Sequence, residues 1–211
     1  VMNRMELTRK YWKYYLMLEK RFIESSEYVE FHKDNFEVFS NGYALLLEAI
    51  GAELDTVFKE FCGFNMDERK TIADYAQFVL SNNSDIVNIK IDLREYDIEI
   101  QPFKDWNTQQ PAQTLFWWSA FTDIKHNRYD NKTKANLENV LNILDSLYLI
   151  EMLFLKKVTS STTELDVFDE SSNLFTLKNW TTKSIPLERA FDVLADMFER
   201  DDGTTGLEFD A

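Results

Sequence analysis

Cysteine is almost absent. Cys62 stands alone, which excludes an intrachain disulfide and a cysteine-built zinc site. Its setting, FKEFCGF, is apolar and helical in pattern, so a small buried hydrophobe is expected there rather than a nucleophile. Proline (3) and glycine (5) are scarce, which disfavours a turn-rich all-β fold and favours long helices. Positive charge is in deficit too: 23 Lys and Arg against 37 Asp and Glu leave −14 at pH 7. That balance repels a polyanion on average and excludes a general DNA-coating role. Screening over about 10 Å still lets a local basic patch hold phosphate. Long apolar runs are missing as well. The best candidate span, LNILDSLYLIEMLFL, is interrupted by Asp145 and Glu151 and falls short of the roughly 20 apolar residues a membrane helix needs. The opening VMNRMELTRKYWKYY has no apolar leader core, so no signal peptide is expected and the chain reads as cytoplasmic.

Large apolar side chains are plentiful. Apolar residues make up 45% of the 211-residue chain, with 17 Phe, 9 Tyr and 5 Trp, enough for one sizeable core with or without an appendage. Leu7, Tyr11, Tyr14, Leu18, Phe22 and Val29 recur at helical spacing and predict a first helix over 6–31, with His32 at its end. Tyr43, Leu46, Leu47, Ile50, Leu54, Val57, Phe58 and Phe61 trace one face of a second, over about 42–62, which Gly63 stops. Its other side carries Glu48, Glu53, Asp55 and Glu60. No Glu-x-x-His pair accompanies that row, so it is expected to be a solvated acidic face, with Asp55 and Lys59 spaced to pair, and not a metal site.

A shorter helix is predicted over 68–80, then an inserted β-hairpin over about 86–102, from the alternation of Val87, Ile89 and Ile91 and of Ile98 and Ile100. Pro111 is expected to open the next helix, through Trp117, Trp118, Phe121 and Ile124. A helix over 134–157 is apolar on most sides, so it belongs in the core or under a second copy. The reading is a mainly α fold: an antiparallel helical bundle over 1–157 carrying the hairpin, and a mixed appendage over 158–211. That appendage comprises a polar linker, a strand at LFTLKNW, a short helix from Ser184 and Pro186 through Phe198, and a loose end. Leu47, Ile50, Leu54, Val57, Leu141, Leu144 and Tyr148 are its expected core, and the all-round apolar 147–155 segment with Trp117 and Trp118 motivates a homodimer.

One stretch departs from the acidic background. FTDIKHNRYDNKTK gathers Lys125, His126, Arg128, Lys132 and Lys134. A histidine among fixed cations suits acid–base work on a phosphodiester: His126 as proton donor or acceptor, Lys125 and Arg128 stabilising charge on the phosphoryl oxygens. Asn127, Lys132 and Lys134 then contact the substrate. RNA supplies its own 2′-hydroxyl nucleophile, so neither metal nor cofactor is required. The same residues also fit a structural helix end, where Lys, His and Arg meet the last-turn carbonyls and favour the dipole.

The arrangement WWSAFTDIKHNRYDNKTKANLENVLNILDSLYLIEMLFLKK resembles the motif region of HEPN-type proteins. It is nearest a bacterial group with an aromatic–Asn–x–x–Lys–His–x–Arg block before a helix beginning Ala-Asn-Leu. YWKYYLMLEKRFIESSEYVEF and FSNGYALLLEAIGAELDTVFKE resemble the same group, so the likeness spans most of residues 8–157. It implies a helical bundle, commonly dimeric. The implied activity is metal-independent RNA cleavage, or RNA binding alone, in a bacterial defence or stress system of toxin–antitoxin type with an antitoxin or other protein partner. His126 matches the family's histidine. The usual Arg-Asn pair would fall at Phe121-Thr122, where neither residue matches. Either Lys125 and Arg128 replace that arginine or the chain is a non-catalytic member. The competing expectation is a non-enzymatic helical interaction protein whose KHNR is a helix terminus.

Overall fold

The computed structural model describes residues 2–183. The helix expected from Ser184 through Phe198, and the end beyond it, lie outside the described residues. The fold is mainly helical with a small three-stranded antiparallel sheet.

Helix α1 is continuous through three parts: an α turn Arg4–Leu7, a π-helical segment Thr8–Trp12 and the α-helix Lys13–Glu24. Asn3 and Glu6 form a capping box at its start. It stops about two turns short of the predicted residue 31. The Ser25 hydroxyl turns back onto the Phe22 carbonyl (2.6 Å), and a 3₁₀ turn, Ser25–Glu27, follows. His32 therefore caps a separate 3₁₀ turn, Lys33–Asn35, and is exposed there.

Helix α2 is Asn41–Cys62, opened by Ser40, whose Oγ accepts from the Tyr43 amide at 3.0 Å, and closed by Gly63 in the left-handed region (φ 73°). Helix α3 is Ile72–Asn82, set by a Thr71–Asp74 capping box. Helix α4 is Phe116–Asn127. Pro111 does not open it: the Trp106 indole takes the Pro111 carbonyl (3.1 Å) and the Ser119 hydroxyl takes that of Ala112 (2.8 Å), which leaves residues 111–114 in a turn. Helix α5 is Leu137–Thr159, capped by Asn136, whose Oδ1 accepts from the Asn139 amide at 3.0 Å.

α2 and α5 make the most extensive helix contact in the chain. They run in the same direction. At one end Ser40 N donates to Ala135 O (3.2 Å) and Leu137 N to Val38 O (3.0 Å); at the other, Lys157 Nζ donates to Phe61 O. A parallel pair needs a long connection, which residues 63–136 supply. α1 and α4 run against the pair, with Ser25 beside Tyr43 and Arg128 beside Asn41. The seven core residues named from the sequence are all buried. Among the described residues no helix is long and apolar enough to cross a membrane.

The hairpin is present but shorter than its alternation suggested. β1 (Ile91–Leu93) pairs antiparallel with β2 (Glu99–Ile100), and residues 84–88 form a 3₁₀ turn instead of strand. The strand expected in LFTLKNW is β3, Phe175–Leu177, on the other edge of β1. Glu19 ties this segment to α1. Its buried carboxylate accepts from Tyr15 Oη (2.6 Å), from Ser172 Oγ, and from the amides of Asn173 (2.9 Å) and Leu174 (3.3 Å).

The apolar surplus that suggested a partner is covered within the chain. Trp117 is fully buried and donates from Nε1 to Pro102 O (2.8 Å). Tyr148 packs between Trp12, Tyr15 and Phe175. α5 also buries Asp145 and Glu151, whose four carboxyl oxygens find no partner among the described residues; burial pushes both well above the usual carboxylate range.

Candidate functional site

The basic cluster occupies the end of α4 and the turn into α5. The helix stops there because side chains take over its last hydrogen bonds. Asn131 Nδ2 donates to the carbonyls of Asp123 (3.2 Å) and Asn127 (2.9 Å). Asn127 is committed to the turn: its Nδ2 donates to Asp130 Oδ2 (2.6 Å) and its Oδ1 accepts from the Asp130 amide (3.3 Å). The 36–40 segment, laid against 135–138 by an antiparallel bridge between Phe39 and Asn136, fixes the start of α2 beside this turn.

That clip creates a cleft of about 280 Å³ lined by Phe39, Ser40, Asn41, Ala44, Arg128 and Lys132. Arg128 Nη1 donates to Asn41 Oδ1 at 3.0 Å, across 87 residues of sequence. Two cations and the positive end of a 22-residue helix thus face one small space. An arrangement of this kind suits an anion carrying several acceptor oxygens, such as a phosphate group. Tyr129, 77% exposed, stands beside it under the Lys132 ammonium (5.8 Å to the ring centre).

The remaining predicted site residues are not gathered there. His126 is exposed, makes no hydrogen bond or ion pair among the described residues, and does not line the cleft. Lys125 is exposed with its Nζ 5.6 Å from the centre of the Phe121 ring. Lys134 pairs with Asp123 at 2.5 Å. Phe121 itself is buried against α2. Sequence reasoning therefore found Arg128 and Lys132 but missed Phe39, Ser40 and Asn41. FSNG signals a helix start, yet nothing local to it says which distant turn it will meet.

The acidic side of α2 is more engaged than a solvated face. Glu60 accepts from Lys10 (2.7 Å) and Tyr11 Oη (2.9 Å), Asp55 accepts from Tyr75 Oη (2.8 Å) and lies 3.8 Å from Lys59, and burial raises Glu53. Among the described residues no group of His, Cys, Asp and Glu has the makings of a metal site. Cys62 is buried, and burial pushes its thiol up to about 12.

Comparison of the chain with protein-family models, with curated proteins and with solved structures found no match.

Proposed function

We propose that the chain is a HEPN-like RNA-binding protein of a bacterial defence or stress system, holding an RNA phosphate in the Arg128–Lys132 cleft. One observation carries the reading: in a chain of net charge −14, Arg128 and Lys132 line one cleft with the first turn of α2. Exposed Tyr129 and Phe39 beside it offer rings on which bases can stack. Of binding and cleavage, the geometry supports binding. Acid–base work by His126 needs the two neighbouring cations at the same phosphate, but Arg128 reaches to Asn41 and Lys125 lies toward Phe121.

Fluorescence anisotropy with a labelled single-stranded RNA across a salt series tests this. Affinity should fall as salt rises, and Arg128→Ala or Lys132→Ala should each lower the slope by about 1 phosphate contact. No binding at low salt overturns the reading. The alternative, a non-enzymatic interaction protein, is favoured by a different feature, an open apolar groove between α1 and α2. Self-association or partner binding without RNA affinity would select it.

A further inference from the structure

The groove between the C-terminal half of α1 and the N-terminal half of α2, of about 770 Å³, adjoins the Arg128–Lys132 cleft. Ser40 lines both, and of the next two residues Asn41 lines the cleft and Gly42 the groove. Consecutive Cα atoms stand about 3.8 Å apart, so an RNA phosphate seated in the cleft leaves a neighbouring base within reach of the groove. Exposed apolar side chains occur elsewhere on the chain too and by themselves mark nothing. What distinguishes the groove is that rings and uncommitted polar groups line it together. Tyr14 lines it from α1, and Tyr28, 86% exposed, from the residue after the Ser25–Glu27 turn.

Arg21 and Glu24 line the same groove, one turn apart on α1. Both are exposed, and neither makes a hydrogen bond or ion pair among the described residues. An acyl chain or an apolar helix face would cover the rings and take both charges out of water unpaired, at a cost. A nucleobase stacked on a tyrosine brings its own polar edge. Guanine differs from the other RNA bases in offering two adjacent donors, N1–H and the 2-amino group, to a carboxylate and two adjacent acceptors, O6 and N7, to a guanidinium. Adenine and cytosine set a donor beside an acceptor, and uracil sets one donor between two acceptors. Each of those would turn an acceptor toward the Glu24 carboxylate. The side-chain pair in the groove thus matches one base.

We propose that the α1–α2 groove is a guanine subsite for the nucleotide beside the phosphate held by Arg128 and Lys132. Glu24 accepts from N1–H and the 2-amino group, Arg21 donates to O6 and N7, and Tyr28 stacks on the base. The assignment rests on the phosphate-binding reading of the cleft, and it adds a sequence preference that phosphate contacts alone do not give.

Fluorescence anisotropy of the full chain with three short single-stranded RNAs tests the proposal. They are identical except for one central base: guanine, inosine or adenine. The guanine RNA should bind about 10-fold or more tighter than the adenine RNA. Inosine lacks the 2-amino donor and should fall between them. Glu24→Ala, at an exposed position and with its fold checked by circular dichroism, should bring the guanine RNA down to the level of the other two. Tyr28→Ala should weaken all three by about 10-fold while leaving the salt slope in place, because stacking neutralises no phosphate. Arg128→Ala should weaken all three in the same proportion and lower the salt slope. Those responses separate base recognition from phosphate binding, and a merely structural role of Glu24 would not single out one base. Salt-dependent, Arg128-dependent binding with no base preference overturns the guanine subsite, leaves the phosphate reading standing and gives the groove to a protein partner. A guanine preference that survives Glu24→Ala overturns the subsite as well. No RNA binding at low salt overturns both readings.

Discussion

Phe121 lies flat on Gly51: a Cβ added to Gly51 would stand 2.3 Å from the Phe121 ring. α2 therefore uses its mid-helix glycine to let α4 approach, and the ring fills the space a side chain would occupy. Gly51→Ala gains helix propensity but overpacks this contact, and the net expectation is a loss of about 1–3 kcal/mol. Urea unfolding checks it; unchanged stability would mean that α4 can back away freely.

The same contact bears on catalysis. Phe121 occupies the place where the resemblance would put arginine, and it is 5% exposed. Phe121→Arg should not create a ribonuclease. It should destabilise by roughly 3 kcal/mol or more, since it removes a packed ring and drives a guanidinium into the core. Gain of RNA cleavage with unaltered stability would refute this.

Within the basic cluster the cations should not be equivalent. Arg128→Ala and Lys132→Ala remove cleft cations, whereas Lys134→Ala removes one already neutralised by Asp123. RNA affinity should fall for the first two and hold for the third. His126→Ala should leave affinity unchanged, and wild type incubated with RNA and EDTA should leave the RNA intact. Accumulation of a cyclic-phosphate product that His126→Ala abolishes would return His126 to a catalytic role.

Asp145 and Glu151 should make the protein less stable as pH rises. Their folded-state affinities for the proton exceed the unfolded values of 3.8 and 4.5, because burial penalises the charged forms. Below those unfolded values both states are protonated and stability is fully present. Above them, unfolding releases a proton, and each group costs about 1.4 kcal/mol per pH unit until its raised folded value is passed. Asp145→Asn and Glu151→Gln should therefore flatten the pH profile and raise stability at neutral pH. Urea melts from acid to alkaline conditions read this directly, and a profile unchanged by both substitutions would mean that other groups dominate.

Glu19→Ala should detach the β3 segment. It removes the acceptor of Tyr15, Ser172, Asn173 and Leu174 and leaves the Tyr15, Ser172 and Leu174 donors buried, at about 3 kcal/mol or more. Hydrogen exchange at residues 172–177 should accelerate ahead of exchange in α2 and α5. Uniform acceleration would show that Glu19 supports the whole core instead.

Much of this fold is written in local chemistry. The apolar period and the Ser40 and Gly63 caps place α2 within a residue of its ends, and the same period marks Leu47, Ile50, Leu54 and Val57 as core. The helical class, the hairpin, the strand in LFTLKNW and the cation cluster are legible for the same reason: each rests on residues adjacent in sequence. The end of α1 and the start of α4 are not, because side chains from neighbouring turns compete for their backbone carbonyls. Nor does periodicity reveal that α5 is covered by its own chain rather than by a second copy; an all-round apolar helix satisfies either. The cleft lies furthest from the sequence's reach. Arg128 meets Asn41 only because α2 and α5 run parallel and the 36–40 segment clips their ends together. Sequence determined which residues are charged and which are buried. Tertiary packing alone decided which cations share a space, because that depends on contacts closed over long stretches of chain that no local pattern encodes.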